Sequence, residues 1–327
     1  MSMEEKILIR GTGLRQWFPV KRSFWEQKLF VKAVDGVDIT VHEGETFGIA
    51  GESGCGKSTL LRTLLRVVEP TAGTIEFAGR DITHLPNRQL RPLRRDMQMV
   101  FQDPYSSLDG NMRVGAIIEE PMVINKLYDS HEERQRRVKE LMVKVGLDDS
   151  YVDRYPHEFS GGQRQRIVIA RALATMPKLV LCDEAVSALD VSVRAQVLNL
   201  MDRLKQEMHL TYIFVSHDMS VLEHICDRLM IMYMGRVMEV GTKDQIFNHP
   251  AHPYTKALLS AVPSVSDDGP KRERILLEGD IPSPVHPPQG CRFRTRCPYA
   301  TDKCAEEQPL IDLGGGHTAA CHLCQNT

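Results

Sequence analysis

The sequence predicts an α/β fold with a largely parallel sheet, an inserted helical subdomain and a small cysteine-rich C-terminal extension. Between about residues 32 and 262, short apolar runs typical of buried strands alternate with helical patterns. Such alternation is typical of a parallel sheet covered by helices. A glycine-rich loop also lies between a predicted strand and a predicted helix, which is the setting of a phosphate-binding loop in this fold class.

Hydrophobic periodicity assigns the individual elements. The predicted strands are Thr46–Ala50, Met97–Phe101, Leu179–Cys182 and Tyr212–Val215. Leucines spaced along one face predict a helix over 58–68 that Pro70 ends, and a second stripe predicts a helix over 193–208. The charged stretch from about Asp103 to Tyr155 has helical patterns and no good strand. We therefore expect an inserted helical subdomain at about residues 103–160.

Length and charge restrict the possible functions. A chain of 327 residues favours about two domains, and its net charge of −2 argues against a nucleic-acid partner. It contains no run of the ~18–20 apolar residues that a membrane-spanning helix needs. The charged start of the sequence lacks the apolar core of a secretory signal. We therefore expect a cytosolic chain that acts on membranes only through a partner.

Residues 51–59 match the phosphate-loop pattern GxxxxGK[ST]. Glycines let backbone N–H groups turn inward around phosphate oxygens at a helix N-terminus. Lys57 then supplies a positive charge at the β- and γ-phosphates, and the Ser58 hydroxyl ligates Mg²⁺. The predicted ATP contacts are Ser53, Gly54, Cys55, Gly56, Lys57, Ser58 and Thr59. The alternative, a glycine-rich turn with an incidental lysine, is disfavoured by the full match between strand and helix.

Two carboxylates end the apolar strand that begins at Leu179. Asp183 is the candidate for the Mg²⁺ side, and Glu184 is the candidate general base that activates the attacking water. An acidic pair after a strand is a weak signal by itself. Its combination with the phosphate loop makes it strong.

A second glycine-rich helix start distinguishes among phosphate-loop ATPases. The tetrapeptide at positions 160–163, Ser160, Gly161, Gly162 and Gln163, precedes a helical run and can form a further anion site. Two half-sites in one chain suggest a head-to-tail dimer. Here the sequence resembles the ATP-binding-cassette (ABC) ATPases over about residues 5–260. Their signature is LSGGQ, and this chain has Phe159 in the leucine position. The resemblance implies a RecA-like core.

Further motifs of the ABC ATPases fall in order along the chain. Gln102 matches the glutamine that senses Mg²⁺ and water, Asp190 lies in the loop that crosses the dimer interface, and His217 matches the switch histidine at the γ-phosphate. The resemblance implies that positions 160–163 and Asp190 contact the partner's ATP, and that Gln102 joins Ser58 and Asp183 around Mg²⁺. Each motif alone has a structural alternative, such as a loop glutamine, a structural histidine or a helix cap. The family often has proline where this chain has Ala185.

The adenine platform has two adjacent candidates. The ABC ATPases stack the base on an aromatic residue upstream of the phosphate loop, and both Trp17 and Phe18 precede it. We favour Phe18 by analogy. Hydrophobic packing is the alternative role for whichever ring does not stack.

Five of the eight cysteines lie in the last 37 residues, after a proline-rich stretch at 263–290. In a reducing cytosol this clustering indicates metal binding before disulfides. The spacing of Cys291, Cys297, Cys304 and Cys321 lacks the paired CxxC knuckles of a zinc ribbon. An iron–sulfur cluster, a zinc ion and free thiols all remain open, and Cys324 is an alternative fourth ligand. A metal would stabilise a tail with little apolar core.

Residues 249–323, including the motif HPYTKALL at 252–259, resemble the C-terminal extension of ATPases from oligopeptide and dipeptide importers. In some of those proteins four cysteines hold a [4Fe–4S] cluster, which the resemblance carries to Cys291, Cys297, Cys304 and Cys321. We therefore expect a nucleotide-binding domain at residues 1–262 and the C-terminal extension at residues 263–327.

The resemblance implies a subunit that hydrolyses ATP to energise import of dipeptides or oligopeptides. It implies a second ABC ATPase, favoured to be a paralogue, two transmembrane permease subunits and, indirectly, an extracytoplasmic solute-binding protein. The chain would then lie peripherally on the cytoplasmic face of the cell membrane. Alternatives are an importer of nickel or a glycoside, a soluble ABC protein of DNA repair or ribosomes, and a metal-binding regulator with a vestigial ATPase.

Overall fold

The computed structural model describes residues 6–20, 28–262 and 275–326. Residues 1–5 and residues 263–274 of the proline-rich stretch lie outside these ranges, and so do the expectations that concern them. The chain divides into two compact units. Among the described residues, the helical unit contains residues 6, 42–45 and 85–215. The phosphate-loop unit contains residues 7–20, 28–41, 46–84, 216–262 and 275–326.

The described residues form strands and α-helices in alternation, with four short 3₁₀ turns. The strands are β1 (Ile7–Pro19), β2 (Phe30–His42), β3 (Thr46–Ala50), β4 (Ala72–Phe77), β5 (Arg80–Asp81), β6 (Met97–Val100), β7 (Leu179–Asp183), β8 (Thr211–Ser216), β9 (Arg228–Tyr233), β10 (Arg236–Thr242), β11 (Ile311–Gly314) and β12 (His317–Ala319). The helices are α1 (Lys57–Leu64), α2 (Asn87–Asp96), α3 (Pro104–Ser107), α4 (Val114–Ile124), α5 (His131–Lys144), α6 (Gly161–Leu173), α7 (Val191–Met208), α8 (Met219–Ile225), α9 (Lys243–Asn248) and α10 (Pro253–Ser260).

The helical unit is built on three parallel strands in the order β8, β7, β6. The central strand, β7, is buried along its whole length because helices cover it. Between β6 and β7 the chain forms α3, α4, α5 and α6, in agreement with the helical character that the sequence predicts there. The predicted strands of this unit are confirmed to within one residue at each end.

A buried carboxylate joins α4 to α5 in this unit. Glu119 accepts hydrogen bonds from Arg134 Nε and Gln135 Nε2, both at 2.7 Å, and lies 3.1 Å from His131 Nδ1. Burial raises the pKa of Glu119, but the hydrogen bonds from Arg134 and His131 outweigh burial and hold this pKa below its ordinary value. The helices therefore stay paired by charge as well as by their apolar faces.

The phosphate-loop unit contains two groups of strands. One is an antiparallel sheet in the order β2, β1, β4, β5. In the other, β3 pairs in parallel with β9. From β9 the sheet continues through β10 and β12 to β11, and each of these pairs is antiparallel. The predicted strand Thr46–Ala50 is confirmed as β3, and all five of its residues are buried.

Helix α1 ends four residues before its predicted end at position 68. Arg66 adopts the left-handed conformation with φ 53°, and the N–H of Val67 donates to the carbonyl of Arg62 at 2.9 Å. This is the hydrogen-bonding pattern of a Schellman C-cap, which closes a helix before the hydrophobic stripe is exhausted. The leucines at 60, 61 and 64 are fully buried in the core of the unit.

The C-terminal segment extends the sheet of the phosphate-loop unit. Strand β12 pairs with β10 so that Ala319 lies opposite Glu239, and Phe293 is fully buried. The buried carboxylate of Glu239 also contacts His317 Nε2 at 2.7 Å. Residues 275–326 therefore gain stability from strand pairing, apolar burial and a buried hydrogen bond, which the expectation of a tail with little core did not include.

Candidate functional site

The acidic pair lies at the end of β7 in the helical unit. Asp183 is 5% exposed. Glu184, directly after the strand, has a left-handed backbone with φ 49°, which is unusual for a residue with a Cβ. Its N–H donates to the carbonyl of Val215 on β8 at 3.0 Å. The adjacent strand therefore fixes the sharp turn that directs the Glu184 side chain away from the strand.

Gln102 and Glu184 meet although 82 positions separate them. The Nε2 of Gln102 donates to Glu184 Oε2 at 2.9 Å. Because β6 and β7 are parallel neighbours, the residues that follow them emerge at the same edge of the sheet. The structure thus brings together two of the residues that the sequence analysis names for hydrolysis.

The segment after Glu184 forms a tight turn that leads into α7. Ser187 donates from its N–H at 3.1 Å and from its hydroxyl at 2.9 Å to the carbonyl of Glu184. Ala185, in the position where proline is frequent among the ABC ATPases, is buried. Asp190 follows as the N-cap residue of α7 and is exposed. Its carboxylate is therefore accessible at the start of a helix.

Positions 160–163 form a capping box at the N-terminus of α6. The Ser160 hydroxyl accepts from the N–H of Gln163 at 3.4 Å, and the Gln163 amide oxygen accepts from the N–H of Ser160 at 2.9 Å. The cap that the sequence analysis weighed as an alternative is therefore present. Ser160 and Gly161 are both exposed, so the capped end of α6 faces solvent.

The phosphate loop runs between β3 and α1 in the phosphate-loop unit. Gly51 and Gly56 have φ values of 150° and 107°. A Cβ at Gly56 would lie 2.0 Å from the carbonyl oxygen of Ala33, and one at Gly51 would lie 2.2 Å from that of Met232. Only glycine fits at either position, since neighbouring backbone occupies the space.

Lys57 closes the loop on itself. Its Nζ donates to the carbonyl of Gly51 at 2.6 Å and to that of Glu52 at 2.9 Å, and the side chain is buried. Within the loop Ser53 and Gly54 are exposed, Cys55 and Gly56 are buried, and Ser58 and Thr59 are half-buried. Burial raises the pKa of the Cys55 thiol despite the nearby Lys57 ammonium, so this thiol stays protonated.

The two aromatic candidates on β1 have different surroundings. The indole N–H of Trp17 donates to Asp35 Oδ1 at 3.1 Å, and Lys32 Nζ lies 4.9 Å from the centre of its ring. Phe18 is the next residue on the strand, so its side chain points to the opposite face, and 36% of it is exposed. Trp17 is therefore engaged within the unit while Phe18 faces solvent.

His217 is the first residue after β8 and is exposed. Asp218, which follows, caps α8 by accepting from the N–H of Ser220 at 3.0 Å. His217 thus stands between a strand end and a capped helix.

The chain matches known proteins over nearly its whole length. The family model described as "ABC transporter" matches residues 34–187, and the model described as "Oligopeptide/dipeptide transporter, C-terminal region" matches residues 238–304. The oligopeptide transport ATP-binding protein AppF of Bacillus subtilis is 51% identical, with 98% of this chain and 99% of that protein covered. This chain belongs to the ABC transporter family.

Other members of the family agree with this assignment. The dipeptide transport ATP-binding protein DppF of Escherichia coli is 51% identical over 96% of this chain and 93% of its own length. A dimeric ATP-binding cassette solved in a post-hydrolysis state with ADP and Pi is 27% identical, with a TM-score of 0.63 over 72% of this chain and 99% of that one. The chain therefore has the ABC ATPase fold and is an ATPase of this class. None of the helices in the described ranges has the length and apolar character needed to cross a membrane.

The match to the C-terminal region of this ABC subfamily includes three of the four predicted cysteine ligands and ends at Cys304. All eight cysteines lie in the described ranges, and none forms a disulfide. Burial, and further the nearby Cys304, Cys321 and Cys297, raise the pKa of Cys291 to about 11. The four thiols are therefore close enough to influence one another's ionisation.

Cys321 and Cys324 form a pair at the end of the chain. A hydrogen bond from Cys324 lowers the pKa of Cys321 to about 7. Within the described part of the chain, no three His, Cys, Asp or Glu side chains are grouped so that they could hold a metal ion. The metal that the sequence analysis expects at the four cysteines therefore remains a prediction.

The sequence analysis does not identify two residues that hold the phosphate loop. Tyr254 accepts from the N–H of Glu52 at 3.0 Å, and Arg296 donates to the Glu52 carboxylate at 2.8 Å. Tyr254 lies in the HPYTKALL motif and Arg296 directly precedes Cys297. An arginine beside a cysteine in a short tail is the only sequence signal, and it does not indicate which surface the arginine contacts.

Proposed function

We propose that this chain is the ATP-hydrolysing subunit of an importer for oligopeptides or dipeptides. The observation that carries the proposal is the 51% identity to an oligopeptide transport ATP-binding protein over 99% of that protein's length. The match at residues 238–304 also supports the proposal, because that family model is described as the C-terminal region of oligopeptide and dipeptide transporters.

Three residues supply the hydrolytic chemistry in this proposal. Glu184 accepts the proton of the water that attacks the γ-phosphate, and Gln102 orients Glu184 through the 2.9 Å hydrogen bond. His217 stabilises the charge that develops on the γ-phosphate. Proximity of an amide donor to the carboxylate favours a single rotamer of Glu184, which a general base needs.

Nucleotide binding is assigned to the phosphate-loop unit. Residues 53–59 hold the phosphates through backbone N–H groups, and Lys57 adds a positive charge. Phe18 stacks on adenine, a role that its exposed ring favours over the engaged ring of Trp17. Mg²⁺ takes oxygen ligands, and Ser58, Gln102 and Asp183 are oxygen donors suited to it.

A second cassette completes each ATP site in this proposal. Positions 160–163 and Asp190 contact the partner's nucleotide, and the exposed N-terminus of α6 suits positions 160–163 to bind its phosphates. The partner is a second ABC ATPase, which we propose to be a paralogue. Two transmembrane permease subunits complete the complex on the cytoplasmic face of the membrane, and a solute-binding protein delivers the cargo from outside.

We further propose a [4Fe–4S] cluster at Cys291, Cys297, Cys304 and Cys321. Each thiolate of such a cluster binds its own iron, whereas zinc needs four ligands within about 2.3 Å of one ion. The proposal is supported by the resemblance of this region to the C-terminal region of oligopeptide and dipeptide transporters. When bound, the cluster would tie together three loops and the end of the chain.

Deletion of the chain's gene followed by transport measurements tests the peptide assignment. We expect uptake of labelled dipeptides and oligopeptides to fall to background and to return with the wild-type gene. Purification of the chain from detergent extracts should also yield two multi-span membrane proteins. Normal peptide uptake with a defect in nickel or glycoside uptake, or co-purification with ribosomes or DNA, would contradict the proposal.

Anaerobic purification of the full chain tests the cluster. The protein should be brown and contain about four irons per chain. Cys304→Ser should remove most of the iron, while Cys226→Ser, a buried cysteine outside the C-terminal segment, should not. A colourless protein with zinc, or with no metal, would rule the cluster out.

A further inference from the structure

Glu52, the second residue of the phosphate loop, is held at three of its groups. Its carbonyl accepts a hydrogen bond from Lys57 Nζ at 2.9 Å, and its N–H donates to the Tyr254 hydroxyl at 3.0 Å. Its carboxylate accepts a charged hydrogen bond from Arg296 at 2.8 Å. Glu52 is therefore the residue through which the C-terminal segment contacts the loop.

The ion pair of Glu52 and Arg296 is shielded from solvent. The two side chains are 22% and 9% exposed. The guanidinium of Arg296 also donates to the Tyr233 hydroxyl at 3.3 Å, which fixes its orientation. A pair this shielded is only weakly screened by salt, so Arg296 neutralises the Glu52 carboxylate at the phosphate loop.

A buried aromatic cluster positions the segment that carries Arg296. The rings of Tyr233, Tyr254 and Phe293 have centroids 4.8–5.5 Å apart, and each ring is at most 1% exposed. The N–H of Arg296 donates to the carbonyl of Phe293 at 3.0 Å. Because Phe293 is anchored in the cluster, the following turn presents Arg296 to the loop in one place.

Neutralisation of Glu52 has a direct consequence for an anionic ligand. ATP brings several negative charges to the loop, and an unpaired carboxylate on the same loop repels them. The repulsion grows with the charge of the ligand, so it is larger for ATP than for ADP. A residue that removes this repulsion strengthens phosphate binding without touching the nucleotide.

We propose that Arg296 is a positioning residue for ATP: it pairs with Glu52, holds the second residue of the phosphate loop in place and cancels the loop's negative charge. The inference rests on the proposed role of residues 53–59 in nucleotide binding. It assigns the C-terminal segment a part in that site which the cysteines do not explain.

Equilibrium binding of MgATP and MgADP to the full-length chain tests the proposal. Arg296→Ala should weaken ATP binding about fivefold, which corresponds to the loss of a good ion pair, and should weaken ADP binding less. Arg296→Lys keeps the charge and should recover most of the affinity. Arg294→Ala, two positions earlier in the same segment, is the matched control and should bind ATP as the wild type does.

The decisive variant is the double substitution Arg296→Ala with Glu52→Gln. Removal of the carboxylate removes the repulsion, so the double variant should regain most of the ATP affinity that Arg296→Ala loses. A purely structural role for Arg296 gives no such recovery and would overturn the proposal. Equal losses for ATP and ADP would overturn it too.

Glu52→Gln alone keeps the test decisive if Arg296→Ala folds poorly. This variant leaves a positive charge beside the loop, so ATP binding should be unchanged or tighter, and fivefold weaker binding would contradict the proposal.

Lys57→Ala separates this inference from the site on which it rests. Undiminished ATP binding by Lys57→Ala would overturn the proposed phosphate site itself, whatever the Arg296 variants do.

Discussion

At the scale of single residues, Glu184 combines an uncommon backbone conformation with a fixed side chain. Its φ of 49° lies in a region that costs free energy for a residue with a Cβ, and the bond from its N–H to Val215 maintains that conformation. The Gln102 amide holds the carboxylate at 2.9 Å. Backbone strain that neighbouring groups maintain is typical of functional positions, where one orientation of the side chain is required.

Glu184→Gln should therefore lower ATP turnover at least ~100-fold, because the amide cannot accept the proton of the attacking water. ATP binding should persist, since the phosphate loop is unchanged, and the variant should accumulate an ATP-bound dimer. Phosphate release and size-exclusion chromatography with ATP measure the two effects.

Glu223→Gln provides the control for this substitution. Glu223 is exposed on α8, so the same loss of charge there should leave turnover unchanged. Hydrolysis by Glu184→Gln at the wild-type rate would show that another group acts as the base.

At the scale of elements, the two glycines in the first turn of α6, Gly161 and Gly162, have different surroundings. A Cβ at Gly161 meets nothing within 4 Å, whereas one at Gly162 would lie 2.3 Å from Val193 Cγ1 on α7. Gly162 is therefore needed for the packing of α6 on α7. Among the described residues Gly161 meets no such neighbour, so a substitution there tests the proposed contact with the partner's nucleotide.

Gly161→Ala should leave the unfolding temperature unchanged and lower ATPase activity, because in the proposed dimer the new methyl group meets the partner's nucleotide. Gly162→Ala should lower both. Adding Val193→Ala to Gly162→Ala should restore part of the unfolding temperature by making room for the methyl group. Thermal unfolding and ATPase assays on the three variants distinguish these outcomes, and full activity in Gly161→Ala would contradict a role in trans.

Helix α10 carries a second element-scale feature, a buried histidine at its N-cap. His252 Nδ1 accepts from the N–H of Tyr254 at 3.0 Å, and burial lowers the pKa of His252 from 6.5 to about 3. Below pH 6.5 the unfolded chain takes up a proton that the folded chain refuses until about pH 3. The stability that neutral His252 contributes is thus complete above pH 6.5 and declines as the pH falls.

The free energy of unfolding should fall by about 2 kcal/mol from this group alone at pH 5. His252→Asn keeps a capping acceptor but does not titrate, so its stability should fall less steeply between pH 6.5 and 5. His249→Asn, an exposed neighbour, should keep the wild-type slope. Denaturant unfolding at several pH values measures the slopes, and parallel curves for wild type and His252→Asn would refute the assignment.

At the scale of the whole molecule, local signals in the sequence were sufficient for part of the fold. Strand ends and the phosphate loop were predicted because glycines, apolar runs and carboxylates act within a few positions of each other. Strands β11 and β12 were missed, since they are four and three residues long and lie in a polar, glycine-rich stretch. Strand β12 is stabilised by pairing with β10, and β11 by pairing with β12. No local pattern encodes these pairings.

The features that the sequence analysis did not predict depend on contacts between residues far apart in the sequence. Glu52 and Arg296 form an ion pair although 244 positions separate them. Taken alone in the sequence, each residue indicates only a charged side chain exposed to solvent. The family resemblance identified Gln102 and Glu184 separately and did not predict the hydrogen bond between them. Its geometry depends on two parallel strands that leave the sheet at the same edge. The site residues were thus predictable as motifs, whereas the groups that hold them in place were not.

The proposed composite pockets lead to a prediction for the assembled complex. If each pocket joins the phosphate loop of one cassette to positions 160–163 of the other, Lys57→Ala and Ser160→Arg in this chain damage different pockets. Ser160 is exposed at the start of α6, so arginine there should cost the chain only the stability of one helix cap and should block the contact with the partner's nucleotide.

Each single variant, purified with the proposed second cassette and permeases, should occlude about half as much ATP as the wild-type complex. The double variant should occlude none. A pocket formed within one chain gives a different result. Both substitutions would then damage the same pocket, and the double variant would occlude as much ATP as either single variant. Filter retention of labelled ATP under non-hydrolysing conditions measures the occluded nucleotide, and Ser220→Arg, at an exposed position on α8, controls for the added charge.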